Sequence, residues 1–202
     1  MIDNKEFYNY VMRMLAIAKI GIKYSHDPYA LENYREVQER SMEVLEHFVD
    51  EKFDRPNYFM KDIYPTPNIS VRTIILNDNN EVLLVREAKD NGYSLPGGWC
   101  DLGDTPSEAA KNECEQEAGV KVEIERLVGV LDVSKDQNGL LEAQYVVVFK
   151  AKQVSPFSEH TYETNDVRYF AIDKLPQVSG KNKIEDMKRM IKAAIDGEVI
   201  FD

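Results

Sequence analysis

The chain contains the segment LPGGWCDLGDTPSEAAKNECEQEAGV at residues 95–120, in which a glycine-rich loop leads into one short helix. Thr105 is a suitable N-cap, Pro106 suits the first helical position, and Glu108 completes a capping box with Thr105. Gly119 supplies the left-handed residue that commonly ends a helix. The segment therefore predicts a helix of about 13 residues between these caps.

Two acidic residues of this predicted helix, Glu113 and Glu117, are four positions apart and so share one face, with Gln116 beside them. Two carboxylates on a rigid face, next to the backbone carbonyls of a glycine-rich loop, suit a hard divalent cation such as Mg²⁺ or Mn²⁺. Such a cation bridges to phosphate, so an acidic site can still bind an anionic substrate. Taken alone, the pair has a simpler explanation as a solvated acidic face.

The spacing of the segment resembles the Nudix box, Gly-x5-Glu-x7-Arg-Glu-U-x-Glu-Glu-x-Gly-U, where U is a bulky apolar residue. The upstream Leu-Pro-Gly-Gly and the strands before it also look like that family. The positions that match the box are Gly98, Glu113, Cys114, Glu117, Gly119 and Val120.

Three positions depart from the box. Asp104 replaces its first Glu, Asn112 replaces its Arg, and Gln116 replaces the first Glu of its pair. The family's Arg helps to orient the loop and the helix, and Gln116 lacks a charge, so we expect weaker metal binding. Glu113 and Glu117, which are the more essential pair in the family, are both present.

The resemblance implies a metal site and its ligands. The backbone carbonyl of Gly97 and the carboxylates of Glu113 and Glu117 would hold Mg²⁺ or Mn²⁺. The family usually adds a carboxylate from a later loop, for which Glu163 is the first choice, as third ligand or general base. Glu159 and then Asp166 follow it, and any of these three acids is also explained as an ordinary loop residue. The predicted catalytic residues are thus Glu113, Glu117 and Glu163, and the base role is left undivided between Glu113 and Glu163.

Hydrophobic periodicity predicts two domains, a helical leader with its connector at 1–65 and an α+β domain at 66–202. The leader reads as two amphipathic helices, with a break at Gly21–Pro28 and Asp27 as N-cap of the second. The later segments predict strands at 69–76 and 82–85, paired as a hairpin, then strands near 122–131, 143–151 and 167–172, and a helix near 184–195. The resemblance implies that the second domain is an α/β/α sandwich with a mixed sheet.

The leader also resembles a bacterial Nudix subgroup that has an N-terminal helical domain. That subgroup hydrolyses a nucleoside diphosphate linked to another moiety, X, and releases NMP and phospho-X, with CDP-choline and ADP-ribose as candidate substrates. Its leader helices imply a homodimer. The predicted substrate contacts are Arg72, Arg86, Tyr64 and Trp99. Tyr24, Tyr58 and Phe59 could also stack a base, although aromatics on an amphipathic stripe more often serve core packing.

Composition limits the partners. The 202 residues carry 36 Asp and Glu against 25 Lys and Arg, a net charge of −11, so we expect no stable nucleic-acid complex. No apolar run is long enough for a membrane span, and the N-terminus lacks the order of a signal peptide. With only Cys100 and Cys114, no disulfide framework is possible, and we expect a cytoplasmic protein.

Two other functions remain open from the sequence. One is hydrolysis of (d)NTPs or oligonucleotide ends, with Arg72, Arg86 and Lys111 as candidate γ-phosphate contacts. The other is a Nudix-fold sensor that binds a nucleotide without cutting it, as the three box departures suggest. A P-loop is excluded because Leu175 stands where Gly180-Lys181 would need a glycine, and the three histidines lack the spacing of zinc ligands.

Overall fold

A computed structural model of the chain describes residues 4–49, 66–133, 135–137, 140–142, 144–159, 161–181 and 183–202. The chain forms two compact units, Met1–Thr66 and Pro67–Asp202, each with a hydrophobic core of its own. Across these described ranges, no helix has a stretch that is both long and apolar enough to cross a bilayer.

Over residues 4–49, the first unit forms a helical hairpin of α1, Asn4–Tyr24, and α2, Pro28–Val49. Asp27 caps α2 as predicted, since its Oδ1 accepts a hydrogen bond from the N–H of Tyr29 at 2.9 Å. The break between the helices falls at 25–27, within the predicted Gly21–Pro28, but it starts later than predicted because α1 continues past Gly21 to Tyr24. A Cβ on Gly21 would lie 2.5 Å from the Tyr34 ring, so this glycine allows the two helices to approach closely. The core between them consists of Val11, Leu15, Met42 and Leu45.

In the part of the second unit that the structure describes, strands are combined with two α-helices, α3, Pro106–Ala118, and α4, Ile184–Asp196. A short 3-10 turn at Ile172–Lys174 follows the eighth strand. The strands are β1 Asn68–Ile75, β2 Val82–Glu87, β3 Tyr93–Ser94, β4 Val122–Asp132, β5 Lys135–Gln137, β6 Leu140–Glu142, β7 Gln144–Gln153, β8 Thr164–Phe170 and β9 Ile200–Phe201.

The strands form a mixed sheet, a second antiparallel sheet and a small ribbon. The mixed sheet has the order β1-β7-β4-β9, with β1 parallel to β7, β7 antiparallel to β4, and β4 parallel to β9. The second sheet has the order β3-β2-β8, and β5 pairs with β6. The mixed sheet that the Nudix resemblance implies is therefore confirmed.

The predicted hairpin between β1 and β2 is wrong. The two strands lie in different sheets and share only the isolated bridge between Leu76 and Val82. The reason is that the edge of β1 that would receive β2 is hydrogen-bonded to the glycine-rich segment, while its other edge pairs with β7. The chain reverses at the predicted turn, but β2 continues into the second sheet.

Helices cover the sheets on opposite sides. Cys114 and Ala118 of α3 pack against Ile75, Leu83 and Val85. The buried residues of α4 pack on the other side, against a cluster that includes Ile74, Val82 and Leu84. Since neighbouring residues of β1 and β2 face opposite helices, the layers are helix, sheet and helix, and the predicted α/β/α architecture is confirmed.

Candidate active site

Helix α3 carries the acidic pair and is fixed at both ends by its own sequence. Thr105 Oγ1 accepts a hydrogen bond from the N–H of Glu108, and the Glu108 carboxylate accepts one from the N–H of Thr105, which completes the capping box. At the other end, Gly119 has a φ of 63°, a left-handed conformation that glycine adopts without strain. The helix therefore has the predicted bounds and length, 13 residues.

The glycine-rich segment 95–100 lies beside β1 and is hydrogen-bonded to it as a further strand would be. The bonds run from Val71 N to Gly98 O at 2.8 Å, from Thr73 N to Pro96 O at 2.9 Å, and from Cys100 N to Ile69 O at 3.0 Å. Gly97 has a φ of 148°, and a Cβ there would lie 2.1 Å from the Val71 carbonyl oxygen. Only glycine fits at this position.

Glu117 is the buried member of the pair, with 3% of its surface exposed. Its Oε2 accepts a hydrogen bond from the N–H of Gly97 at 2.8 Å, and its backbone carbonyl accepts one from Thr164 Oγ1 at 2.6 Å. Burial raises the pKa of Glu117 from its ordinary 4.5 to about 7; the Gly97 N–H opposes this rise. The negative charge of Glu87 raises the pKa further, whereas Arg72 and Lys181 lower it.

Glu113 is half-buried and lies against the glycine-rich segment. A Cβ on Gly98 would lie 2.3 Å from Glu113 Oε1, so the carboxylate occupies the space that a side chain at 98 would need. Burial raises the pKa of Glu113 to about 7, and the charge of Glu117 adds to the effect. Glu163 and Asp101 raise it as well, while Arg72 lowers it.

The Gly97 carbonyl is the third predicted ligand. The carbonyls of Pro96 and Gly98 on either side of it accept hydrogen bonds from β1. Because successive carbonyls of an extended backbone point in opposite directions, we expect the Gly97 carbonyl on the side where its own N–H meets Glu117.

Arg72 of β1 is a cation among these carboxylates. Burial lowers the pKa of Arg72, whereas the negative charges of Glu117, Glu87 and Glu113 raise it. All three carboxylates are therefore close enough to interact electrostatically with the guanidinium group. Arg72 Nη1 also donates to the Val71 carbonyl at 2.9 Å. Of the predicted substrate contacts, the structure therefore brings Arg72 together with the acidic pair.

Glu163 lies in the turn just before β8, and its backbone carbonyl accepts a hydrogen bond from the N–H of Ala88 at 2.9 Å. Its side chain is exposed, and its charge raises the pKa of Glu113, so the structure brings it near the pair. Glu159 is also exposed. Trp99 follows the two glycines, and 46% of its surface is exposed.

Arg86 and Asp166 lie on the other face of the second sheet. Arg86 is paired in register with Tyr93 and Asp166, and Tyr93 and Arg168 both bond to the Asp166 carboxylate. The structure therefore separates Arg86 and Asp166 from the acidic pair. The predicted contact Tyr64 lies outside the described residues, as do Tyr58 and Phe59, whereas Tyr24 is exposed at the end of α1.

Two of the three departures from the box interact with each other. Asn112 Nδ2 of α3 donates to Asp104 Oδ2 in the preceding loop at 3.2 Å. This bond ties the loop to the helix, which is the task that the resemblance assigns to the family's Arg. Gln116, the third departure, is exposed, and its backbone carbonyl accepts from the N–H of Thr161 at 2.8 Å.

Sequence reasoning missed Glu87, the last residue of β2. It is buried, its Oε1 accepts from Ser94 Oγ at 2.6 Å, and its Oε2 forms an ion pair with Lys181 Nζ. Ser94 is paired opposite Val85, so the two side chains lie on the same face of the sheet, which packs against α3. Because Glu87 bonds to the Ser94 side chain, Glu87 lies on that face too. A charged residue that ends an apolar strand was the available signal.

Comparison with known families matches residues 66–193 to the NUDIX domain. The chain belongs to the Nudix family. Residues 5–55 match a second model, the UDP-X-like, N-terminal oligomerisation domain. The predicted family is therefore confirmed in both matched segments. Together with the pyrophosphatase and diphosphatase relatives described next, the family match confirms the predicted pyrophosphohydrolase.

Two of the similar proteins align over nearly the whole chain, and a third aligns over about two thirds of it. A putative ADP-ribose pyrophosphatase, YjhB of Bacillus subtilis (strain 168), is 32% identical over 94% of each chain. The crystal structure of a UDP-X diphosphatase is 28% identical with a TM-score of 0.60 and covers 98% of each chain. An ADP-ribose pyrophosphatase from Streptococcus suis 89-1591 is 30% identical with a TM-score of 0.57, over 68% of this chain and all of that one.

Nudix hydrolases generally use divalent metals, and the donor set of this chain fits such an ion. Glu113 and Glu117 are close enough that the charge of Glu117 raises the pKa of Glu113, and a cation between them would relieve that repulsion. Within the described ranges, no group of three or more His, Cys, Asp or Glu side chains is arranged to hold a metal by itself. An ion here would complete its shell with water and substrate phosphate, as Mg²⁺ commonly does.

Proposed function

We propose that this Nudix enzyme hydrolyses a nucleoside diphosphate linked to a second moiety, X, and releases NMP and phospho-X. The observation that carries the proposal is the extent of the match. Relatives named for ADP-ribose and for UDP-X both align over nearly the entire chain, including the helical leader. Their substrates share a diphosphate that joins a nucleoside to another group, so ADP-ribose, a UDP-sugar and CDP-choline are the substrates to test.

The proposed catalytic roles follow from the positions of the carboxylates. Glu113, Glu117 and the Gly97 carbonyl hold Mg²⁺ or Mn²⁺, which when bound stabilises the charge that develops on the phosphoryl oxygens. Glu163 is the third carboxylate, as a ligand or as the base that takes the proton of the attacking water. The half-buried Glu113 is the other base candidate.

Substrate binding is assigned to Arg72 and Trp99. Arg72 provides a positive charge beside the carboxylates and suits a diphosphate oxygen. Trp99 offers an exposed ring next to the glycine-rich segment for stacking. Arg86 is the weaker candidate, because it lies on the opposite face of its sheet, and Tyr64 stays a prediction.

We also infer a homodimer through the leader. The matched domain is described as an oligomerisation domain, and α1 and α2 leave an open groove of about 470 Å³. Its apolar lining consists of Phe7, Tyr10, Val11, Met14, Val37 and Val44. A Val37→Lys, Val44→Lys variant should be monomeric by light scattering, whereas the wild type should not.

Both cysteines are free thiols, which supports the predicted cytoplasmic location.

The test is turnover of ADP-ribose, UDP-glucose and CDP-choline, each with Mg²⁺ and with Mn²⁺. Alkaline phosphatase releases phosphate from the products but not from the intact substrates, so phosphate reports cleavage. A (d)NTP panel is assayed in parallel for released pyrophosphate. Reactions in EDTA and Glu117→Gln protein serve as controls against contaminating activity. Products of the EDTA reactions are separated by chromatography, because EDTA also inactivates alkaline phosphatase.

Metal-dependent cleavage of at least one linked diphosphate, at a kcat/KM well above that for every (d)NTP, would support the proposal. Faster cleavage of a (d)NTP would contradict the substrate class. Binding of these ligands by the folded protein without turnover would show a sensor instead of an enzyme for linked diphosphates.

A further inference from the structure

Lys181 lies beside the site, although no motif accounts for it. It belongs to the loop that precedes α4 and forms an ion pair with the buried carboxylate of Glu87. The Lys181 side chain is 44% exposed and that of Glu87 only 4%, so the ammonium group lies at the solvent side of the pair. Glu87 accepts a hydrogen bond from Ser94, which directly precedes the glycine-rich segment, and the neighbouring Ala88 N–H bonds to the carbonyl of Glu163. The ion pair of Lys181 and Glu87 therefore lies beside the proposed metal site.

Asp90 fastens the loop that carries Lys181. Its Oδ2 accepts hydrogen bonds from Ser179 Oγ and from the N–H of Gly180, both at 2.9 Å, while Oδ1 accepts the N–H of Gly92. Gly92 permits the approach, because a Cβ there would lie 2.4 Å from Ser179 Cα. The backbone of Tyr93 adds two bonds, from its N–H to Gln177 O and from Ser179 N to its carbonyl. The loop is thereby held in a defined position against β3.

The ammonium group can do more than neutralise Glu87. Glu87 already accepts a bond from Ser94 and lies within Coulombic range of Arg72. A lysine ammonium has three rotatable donors, so it can keep Glu87 and still donate to a phosphate oxygen. The carboxylates of Glu87, Glu113, Glu117 and Glu163 all lie near the site, so a dianionic substrate needs cations at its edge as well as a metal.

We propose that Lys181 binds the diphosphate of the substrate, and that Asp90 is a positioning residue that presents Lys181 by fastening its loop. The inference rests on the proposed function only in assuming that the substrate contains a diphosphate. It makes Lys181 a second phosphate contact beside Arg72, contributed by a part of the chain remote from the Nudix box.

The probe is methylenediphosphonate, a non-hydrolysable diphosphate that carries neither base nor X group. Its affinity for the full-length protein is measured by isothermal titration calorimetry in Mg²⁺. Lys181→Met should raise the Kd at least fivefold. Lys188→Met, which removes the same charge from the exposed face of α4, should leave the Kd unchanged. Wild-type protein that does not bind the probe, or equal Kd values for wild type and Lys181→Met, would overturn the proposal.

A second pair of variants separates phosphate binding from neutralisation of Glu87, and also avoids leaving a buried carboxylate without its cation. Glu87→Gln keeps Lys181 and releases it from the ion pair, so the probe should bind as tightly as to wild type or more tightly. Glu87→Gln combined with Lys181→Met should bind weakly. Restoration of wild-type affinity in the double variant would mean that Lys181 only neutralises Glu87.

Asp90→Asn tests the positioning role, because its single remaining acceptor oxygen cannot keep all three bonds. We expect it to weaken probe binding in wild type but to have little further effect in the Lys181→Met background. Equal losses in both backgrounds would overturn the role of Asp90. If none of the linked diphosphates is hydrolysed but these differences in probe affinity hold, the proposed substrate class fails while the assignment of Lys181 stands.

Discussion

Replacing Glu117 with Gln should make the metal-free enzyme more stable while removing its activity. The carboxylate of Glu117 is 3% exposed, and its pKa is raised from 4.5 to about 7. Gln keeps an oxygen that can accept the Gly97 N–H and carries no charge. Loss of a metal ligand should lower kcat/KM by about 100-fold or more.

The magnitude follows from the pKa. A rise of roughly 2.5 units corresponds to about 3 kcal/mol by which an ionised Glu117 destabilises the folded state above pH 7. Gln removes this destabilisation, but its buried N–H₂ group is incompletely hydrogen-bonded, which costs roughly 1 kcal/mol of stability. The variant should therefore be about 2 kcal/mol more stable at pH 8, which raises Tm by roughly 4–8 °C for a protein of this size.

The gain depends on pH in a defined direction. The folded state holds a proton on Glu117 that the unfolded state releases at lower pH, so this group destabilises the wild type progressively as pH rises from about 4.5 through about 7. Near pH 5 the difference between variant and wild type should nearly vanish.

The assay is thermal unfolding in EDTA at pH 5 and pH 8, with turnover measured separately in Mg²⁺. Glu115→Gln is the matched control, because Glu115 is on the same helix, its side chain is 57% exposed, and it pairs with the exposed Lys121 at 3.8 Å. We expect no stabilisation in the control. An equal Tm for wild type and Glu117→Gln at pH 8, or the same gap at both pH values, would refute the reasoning.

Three further predictions concern the loop and its metal. Gly98→Ala places a Cβ 2.3 Å from Glu113 Oε1 and should lower kcat/KM at least tenfold by displacing that carboxylate, while circular dichroism stays unchanged; full activity would contradict the position of Glu113. Asn112→Ala removes the bond to Asp104 and should cost about 1 kcal/mol in urea unfolding, whereas Asn112→Arg, which offers Asp104 a charged donor, should lose nothing. EDTA should abolish turnover, and excess Mg²⁺ or Mn²⁺ should restore it; turnover that persists in EDTA would exclude a metal-dependent enzyme.

The sequence was most informative where structure is determined locally. The caps of α3 and the N-cap of α2 depend on residues within a few positions of one another, and both form as predicted. The face shared by Glu113 and Glu117 follows from helical spacing alone. The box compares each position separately with the family, however, so it does not predict the bond between Asp104 and Asn112, which are eight residues apart.

Longer-range features were beyond pattern reading. Strand β2 is buried along nearly its whole length, so its apolar residues do not alternate. The charged end of this apolar strand marks Arg86 and Glu87 alike, and the pattern does not indicate which of the two shares the face of α3. The contact between Glu87 and Lys181 joins residues 94 positions apart. The hairpin prediction failed for a related reason, since a turn fixes chain reversal but not which strand edge is already occupied.

The pairing of the glycine-rich segment with β1 has a consequence for metal affinity. A surface loop that orders only when its ligand arrives loses conformational entropy at that moment, at about 1–2 kcal/mol for each residue fixed. Here the bonds to Val71, Thr73 and Ile69 already hold the loop in place. The Gly97 carbonyl is thus preorganised, and cation binding needs no loop folding. In hydrogen exchange, the amides of this segment should open together with the edge of the sheet and not as a separate flexible loop.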